Sequence, residues 1–145
     1  MVHMQEYIEV VVQGGRFDAP AGEVYQALDY SAEVLDADVI LMSEAGRHRK
    51  VIKRWAKDRG FRRYHPVGWG RSENAILVRR PLRMPWNLVR TKRLTHLTLR
   101  TARKAPQFAS VATVRPPRNS GIKGRAVVAI CLLYTSDAAD EEDSV

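Results

Sequence analysis

The stretch Ala37-Asp38-Val39-Ile40-Leu41-Met42-Ser43-Glu44 decides the fold of this chain. Its four consecutive apolar residues, from Val39 to Met42, are typical of a short strand that is buried on both faces. The apolar run then stops and is followed by a carboxylate. A carboxylate at the end of a buried strand projects from a rigid element, which is where a metal ligand or a catalytic acid is best placed. We therefore predict a strand over 38–44 and take Glu44 as the first candidate site residue.

Helix and strand patterns alternate on both sides of this strand. Residues 6–12 are predicted to form a first strand that ends at Gly14-Gly15, and a helix is predicted to begin near Pro20. A second helix over 47–59 follows Glu44, with Gly60 just after its end. The apolar faces of the helices are Val24, Leu28, Ser31/Ala32 and Leu35 in the first, and Val51, Ile52, Trp55 and Ala56 in the second.

The rest of the chain has the pattern of a β-rich half. Strands are predicted over 61–65, 74–78, 94–99, 108–114 and 126–132, with a glycine-containing loop over 66–72 and a turn over 116–121. The strand–helix–strand opening implies that the first two strands are parallel neighbours covered by helices. The later strands indicate antiparallel additions, so the fold class is α/β or α+β with a mixed sheet.

The net charge of +8 conceals an uneven distribution along the chain. Residues 1–44 hold one arginine and nine acids, a net of −8, whereas residues 45–130 hold 23 basic residues and two acids, a net of +21. Residues 131–145 hold five acids and no base. So basic a middle section favours a polyanionic partner, most commonly nucleic acid. The alternative is a solvated surface that keeps the protein soluble.

Length, cysteine content and hydropathy limit the number of domains and the class of protein. A chain of 145 residues predicts one domain, and no run approaches the roughly 20 apolar residues that a membrane span needs. The single cysteine, Cys131, argues against a disulfide framework and against a multi-cysteine zinc site. Because the N-terminus has no signal-peptide pattern, we expect a cytoplasmic protein. We also expect it to be a monomer.

The composition changes abruptly after Ile130. Residues 131–141, Cys-Leu-Leu-Tyr-Thr-Ser-Asp-Ala-Ala-Asp-Glu, are similar to the translation of a transposase-type sequencing adapter. On this interpretation the native sequence covers 1–130, and residues 131–145 are a non-native tail. The alternative is a genuine acidic C-terminal tail.

Two strand motifs and their spacing resemble the endonuclease/exonuclease/phosphatase superfamily, which has the DNase I-like fold. Residues 37–44 are similar to the family's strand Asp-Val-Ile-x-Leu-Gln-Glu. Residues 72–79, Ser-Glu-Asn-Ala-Ile-Leu-Val-Arg, are similar to a later family strand in which Ala-Ile-Leu-x-Arg follows a small residue. The resemblance runs from Val10 to Ile130. It implies the N-terminal part of a DNase I-like mixed β-sheet sandwich with flanking helices, incomplete in this chain.

The same resemblance implies a metal-dependent phosphodiesterase, most simply a nuclease that acts on DNA or RNA. Glu44 would bind the catalytic Mg²⁺ (or Mn²⁺), a hard cation that keeps several waters and needs only one or two carboxylates. Gln13 is the counterpart of a metal-binding Asn in the family's first strand and is longer by one methylene. Arg71 is the candidate for contact with the phosphate backbone, and Asn74 is a second candidate for substrate binding.

Charge and aromatic content add further candidates. The basic helix after Glu44 is predicted to contact the nucleic-acid backbone through Arg47, Lys50 and Arg54. Trp69, in a Gly-Trp-Gly loop, is a candidate for base stacking, whereas Trp55 belongs to an apolar stripe and is predicted to be core. The spacing of His48, His65 and His96 suggests no shared metal, so we expect surface or packing roles for them.

The family's Asp-x-Asn and Ser-Asp-His segments, which orient the nucleophile and supply the general base, do not occur in this sequence. No catalytic residue is therefore assigned, and we expect this chain to be a catalytically inert fragment. One alternative is a non-catalytic basic module that binds nucleic acid by charge. Another is a fragment with one sheet and two helices, whose apolar face would be exposed. Glu44 itself has the alternative role of an exposed acid that caps the following helix.

Overall fold

The computed structural model describes residues 7–16, 18–68, 70–94 and 107–131, which form two β-sheets and two α-helices. The first sheet, in the order β1-β2-β4-β3, consists of β1 (Val10–Gly14), β2 (Val39–Ser43), β3 (Phe61–Tyr64) and β4 (Asn74–Arg79). The second sheet, in the order β5-β6-β7, consists of β5 (Arg90–Leu94), β6 (Gln107–Val114) and β7 (Ala126–Cys131). The helices are α1 (Ala21–Asp29), which continues as a π-helical turn (Tyr30–Val34), and α2 (Arg49–Arg59).

Strand directions follow the sequence pattern. β1 and β2 are parallel neighbours, as the strand–helix–strand opening implies, and every later pairing in both sheets is antiparallel. The predicted mixed sheet is therefore confirmed. The predicted end of the second helix is also found, since Gly60 follows α2 with a φ of 73°, in the left-handed conformation that favours glycine.

β2 is apolar without interruption because its two faces belong to two different cores. Ile40 and Met42 pack against the helices, in a cluster that includes Leu28, Ile52 and Trp55. The alternate residues of β2 pack against the second sheet. This second cluster contains Val39, Leu41, Ile76 and Val78 from the first sheet, and Ala112, Val114, Val128 and Ile130 from the second. The sandwich between the sheets is thus formed, and the expectation of a single sheet with an exposed apolar face is wrong.

Trp55 joins the two helices at the centre of the first core. Its indole is fully buried, packs against the Phe61 ring in a tilted arrangement with centroids 4.7 Å apart, and donates its N–H to Asp29 Oδ1 at 2.8 Å. Arg59 Nε donates to the same oxygen at 2.8 Å. The Arg59 hydrogen bond holds the pKa of Asp29 below its usual range, and the Trp55 hydrogen bond adds to this effect. The predicted core role of Trp55 is confirmed.

Two sequence predictions are corrected in position. Leu35 is 43% exposed, because the π-helical turn inserts an extra residue into the helix and rotates the positions beyond it off the apolar face. A strand is expected over 94–99; the described strand Arg90–Leu94 begins earlier and shares Leu94 with it, and residues 95–99 lie outside the described residues. β5 is rich in charged residues and lacks an apolar alternation, so its pairing with β6 defines it.

Among the described residues, no helix is both long enough and apolar enough to cross a membrane.

Candidate functional site

The predicted metal and substrate residues lie at neighbouring strand ends along one edge of the first sheet, but the side chain of Gln13 faces the helices and that of Asn74 faces the second sheet. Because β1 and β2 are parallel, their carboxyl ends meet at this edge, and the antiparallel β4 begins there. The register pairs Gly14 with Ser43 and Ser43 with Asn74. Gln13, Glu44 and Asn74 therefore belong to three neighbouring strand ends. Arg71 lies in a 3₁₀ turn (Arg71–Glu73) that leads directly into β4.

Glu44 has an unusual backbone conformation. Its φ is 55°, in the left-handed region that side chains other than those of Gly, Asn and Asp rarely adopt. Such a conformation costs roughly 1–3 kcal/mol and occurs preferentially at functional sites. In the part of the chain that the structure describes, no group donates a hydrogen bond to the Glu44 carboxylate. A half-buried carboxylate with free oxygens, held on a strained backbone, is well suited to bind a cation.

Backbone contacts on both sides hold Glu44 in place. The Gly15 N–H donates to Ser43 O at 2.7 Å, and the Ala45 N–H donates to Glu73 O at 2.9 Å. Gly15 lies so close to β2 that a Cβ there would come within 2.6 Å of Met42 Cε and 3.1 Å of Glu44 O. A larger residue at position 15 would therefore displace the segment that carries Glu44.

Asn74 lies inside the sandwich and not on its surface. It is 1% exposed, and its Nδ2 donates to Phe108 O on β6 at 3.0 Å. Its Oδ1 is buried and has no hydrogen-bond partner. An unpaired buried amide oxygen is unfavourable, so it favours an additional partner such as a cation or a water.

Gln13 engages the first helix through its side chain. Its Oε1 accepts a hydrogen bond from Ser31 Oγ at 2.7 Å. It also lines a small cavity of about 200 Å³ together with Gly14, Gly15 and Met42. Because one side of its carbonyl oxygen is already used, its assignment as a metal ligand stays a prediction.

The predicted substrate-binding cations occupy different positions. Arg71 is exposed, and its guanidinium lies 5.7 Å from the centroid of the Phe108 ring. Arg47 and Lys50 are exposed around the first turn of α2, which begins soon after Glu44. The guanidinium of Arg54 lies 5.5 Å from the centroid of the Tyr25 ring. Arg54 is about 7.5 Å along the helix axis from Arg49, the first residue of α2. Arg47 and Lys50 are thus close to Glu44 along the chain, Arg71 precedes β4 at the same edge of the sheet, and Arg54 contacts α1.

Two histidines are buried near this edge and have packing roles, as expected. His48 Nε2 donates to Arg16 O at 2.7 Å, and His65 Nε2 donates to Ser72 O at 2.7 Å. The pKa of His65 is lowered to about 4, chiefly by burial and in smaller part by the nearby Arg49 and Arg63 charges. His65 is therefore neutral near pH 7. His96 and Trp69 lie outside the described residues.

Glu73 is a second carboxylate at this edge that the sequence alone did not single out. Its Oε1 lies 3.4 Å from the position that a Cβ on Gly46 would occupy, so its side chain reaches the loop after Glu44. The antiparallel pairing of β2 with β4 creates this proximity, and sequence spacing gives no sign of that pairing.

The donor chemistry of the edge fits a hard divalent cation. Among the described residues there is no group of three or more His, Cys, Asp and Glu that could hold a metal ion. Glu44 and the unpaired oxygen of Asn74 are oxygen donors, and both histidines use Nε2 for backbone carbonyls. Mg²⁺ and Mn²⁺ prefer oxygen, and Mg²⁺ keeps several waters, so few protein ligands suffice.

Solved structures with this arrangement of strands and helices are similar to the chain over most of its length. TDP2 of D. rerio, complexed with a single-strand DNA product, matches with a TM-score of 0.61 and 9% identity over 88% of this chain and 46% of that one. The chain has the DNase I-like fold. ANGEL2, a 2',3'-cyclic phosphatase in complex with adenosine-2',3'-vanadate, matches with a TM-score of 0.62 and 14% identity over 88% of this chain and 41% of that one.

The human Nocturnin catalytic domain with a bound sulfate anion matches with a TM-score of 0.58 and 15% identity, over 88% of this chain and 50% of that one. These three proteins are members of the endonuclease/exonuclease/phosphatase superfamily, so the resemblance inferred from the sequence is confirmed at the level of the fold. The chain spans about half the length of the proteins it matches. No protein-family model and no curated protein sequence matches it.

Proposed function

We propose that this chain forms the metal-binding part of a phosphodiesterase that depends on a divalent cation and acts on nucleic acid. The observation that carries the proposal is the Glu44 carboxylate, which has no hydrogen-bond donor among the described residues and lies on a strained backbone at the end of the central strand of a DNase I-like fold. The similar structures support it, since TDP2 is complexed with a DNA product and ANGEL2 with a vanadate of adenosine.

Each residue of the edge has a proposed role. Glu44 binds Mg²⁺ or Mn²⁺, and the buried, unpaired oxygen of Asn74 is a further protein oxygen at the neighbouring strand end. A bound cation supplies electrostatic stabilisation of the charge that develops on a phosphate during hydrolysis. Arg71 is exposed and positions a phosphate of the substrate. Gln13 faces the first helix, where its Oε1 accepts a hydrogen bond from Ser31 Oγ, and its proposed contribution is to fix the end of β1.

This chain by itself is proposed to bind metal and nucleic acid without turnover. The sequence has neither the Asp-x-Asn nor the Ser-Asp-His segment that supplies the general base in the superfamily. His65 is neutral, but it is buried and donates to Ser72 O, which makes it unsuitable as a base for water at an open edge. Plasmid nicking in the presence of Mg²⁺ tests this proposal. Nicking by the wild type above the level of a Glu44→Ala variant would contradict it.

Metal binding is tested by stability, which needs no activity. A cation that binds only the folded chain stabilises it by about 2.7 kcal/mol at a concentration 100 times its Kd. We expect Mg²⁺ to raise the urea midpoint of the wild type and not that of Glu44→Gln. Asp36→Asn is the matched control, because Asp36 is an exposed carboxylate with a similar φ of 53°. Equal Mg²⁺ responses of wild type and Glu44→Gln would rule out Glu44 as the ligand.

A second function is favoured by the charge of +21 over residues 45–130, namely a non-catalytic module that binds nucleic acid. This function predicts a steep salt dependence of binding. It also predicts that neither Mg²⁺ nor Glu44→Gln changes the affinity. Mg²⁺ dependence in the wild type that Glu44→Gln abolishes would favour the phosphodiesterase.

A further inference from the structure

A groove of about 630 Å³ follows β3, one of the two outer strands of the first sheet. One wall is the second half of α2, which contributes Lys53 and Lys57. The segment between β4 and β5 contributes Met84 and Trp86. No residue that lines this groove belongs to the edge that carries Glu44, so the groove is a separate surface.

The charge of the groove is entirely positive. Its five charged lining residues are Lys53, Lys57, Arg62, Arg63 and Arg80. Within the described residues, no carboxylate pairs with any of them, whereas Arg59 on the same helix is paired with Asp29 at 2.8 Å. Lys53 and Lys57 are one helical turn apart, about 6 Å along the axis, so their ammonium groups can follow one wall of the groove.

Arg63 adds an unpaired cationic donor beside the groove. Its Nη1 is buried and has no hydrogen-bond partner. Leaving a buried donor unsatisfied is unfavourable, and for a charged group the penalty is larger than for a neutral one. Arg49 lies close enough to repel it, and no acid offsets that repulsion among the groove-lining residues.

Trp86 gives the groove an aromatic surface. Its side chain is 88% exposed, which makes it the most exposed of the large hydrophobic side chains in the described segments. It lies in a short 3₁₀ turn (Trp86–Leu88) between Pro85 and β5, and Val89 beside it also lines the groove. An indole held in water next to a row of cations is a suitable platform for a stacked base.

We propose that this groove binds single-stranded nucleic acid, with phosphates on the cations of α2 and β3 and a base stacked on Trp86. Every base has a π-face, and backbone phosphates are present in any sequence, so such binding has little sequence preference. This binding requires neither a metal nor the reaction proposed for the Glu44 edge. It gives the chain a second contact with a nucleic-acid strand, separate from the Glu44 edge.

A simpler account of the cations is that they protect an unpaired strand. β3 is an edge strand, and charged side chains on such strands prevent pairing with other sheets. That account explains Arg62 and Arg63. It does not explain why an apolar indole is kept exposed beside them, and the experiment below separates the two.

The test is fluorescence anisotropy of a labelled oligothymidylate in EDTA, where the metal site makes no contribution. Loss of a stacked base lowers affinity by roughly 5- to 150-fold, which is the expectation for Trp86→Ala, while Trp86→Phe retains most of the binding. Lys53→Gln/Lys57→Gln should reduce affinity roughly tenfold and the slope of log K against log salt concentration by about 1.4. The charge-matched control is Arg118→Gln/Lys123→Gln, outside the groove.

The proposal would be overturned if Trp86→Ala bound as well as the wild type, or if the control weakened binding as much as the groove pair. A duplex that bound as tightly as the single strand would also overturn it. Binding to polyglutamate but not to the oligonucleotide would overturn it as well, in favour of an acidic protein partner. Urea unfolding of each variant establishes that it is folded. If Mg²⁺ fails to stabilise the wild type, the proposed phosphodiesterase falls while the groove result stands by itself.

Discussion

The strained backbone at Glu44 can be measured by comparing glycine with alanine at this one position. A left-handed φ costs a residue with a Cβ about 1–2 kcal/mol more than glycine. Glycine in turn leaves the unfolded chain more freedom, which costs it about 0.4–1 kcal/mol. With φ at 55°, Glu44→Gly should therefore be more stable than Glu44→Ala by about 0.5–1 kcal/mol.

A helical position supplies the control for this comparison. Lys53 is exposed in the middle of α2, where alanine is preferred to glycine by about 1 kcal/mol. The order of stability should therefore reverse between positions 44 and 53. Urea unfolding in EDTA, with the slope m checked for constancy, measures both pairs.

Unfolding in the presence of Mg²⁺ tests whether metal binding offsets the backbone strain at Glu44. The wild type should gain about 2.7 kcal/mol at 100 times Kd, and neither substitution at position 44 should gain anything. Glu44→Gly is thus expected to be at least as stable as the wild type in EDTA and less stable in saturating Mg²⁺. If Glu44→Ala were as stable as Glu44→Gly, the backbone would carry no strain of this size and the reasoning would be refuted.

Three further predictions concern the surroundings of the site. Gly15→Ala should lose about 1–3 kcal/mol of unfolding free energy and most of its response to Mg²⁺, because the new Cβ meets Met42 and Glu44 O. Gly14→Ala is the control and should change little, since its Cβ meets only Ser43 Oγ at 3.9 Å. Urea midpoints measured with and without Mg²⁺ compare the two variants. The pKa of His65 is about 4 in the folded chain and 6.5 ordinarily, so the unfolded chain takes up its proton first, and stability present above pH 6.5 should fall by up to about 3 kcal/mol as the pH drops toward 4. Urea unfolding across this pH range should give a flatter profile for His65→Gln, and an unchanged profile would show that other groups cause the loss. Trp55→Phe should lose about 1–3 kcal/mol in thermal or urea unfolding, since it removes the N–H that Asp29 accepts, and a neutral effect would contradict the importance of that bond.

The sequence predicted best where local patterns determine the structure. The apolar run before Glu44 places β2 and its terminal carboxylate, and the stripe on α2 identifies Val51, Ile52, Trp55 and Ala56, all of which are buried. Hydrophobic periodicity carries such information because each element must bury one face. Leu35 escaped it because a single inserted residue in a π-helical turn changes the phase of the helix.

What the sequence could not predict depends on contacts between distant segments. β5 is a strand because β6 pairs with it, and the charged residues of β5 gave no alternation to detect. Glu73 is brought to the loop after Glu44 by the pairing of β4 with β2. The apolar stripe of α2 marked Trp55 as core, whereas Trp86 belongs to no periodic pattern, so the sequence did not show that its indole lies exposed beside the groove.

The two-sided burial of β2 has a consequence for how the candidate site comes into being. Ile40 and Met42 are secured only when the helices dock, and Val39 and Leu41 only when the second sheet docks. We therefore expect the carboxylate at the end of the strand to acquire its fixed position late in folding. A synthetic peptide spanning β2 and α2 would contain Glu44 and most of the nearby cations, yet it would present no oriented ligand. Metal affinity in this chain should consequently rise in step with cooperative tertiary structure, and not with helix content.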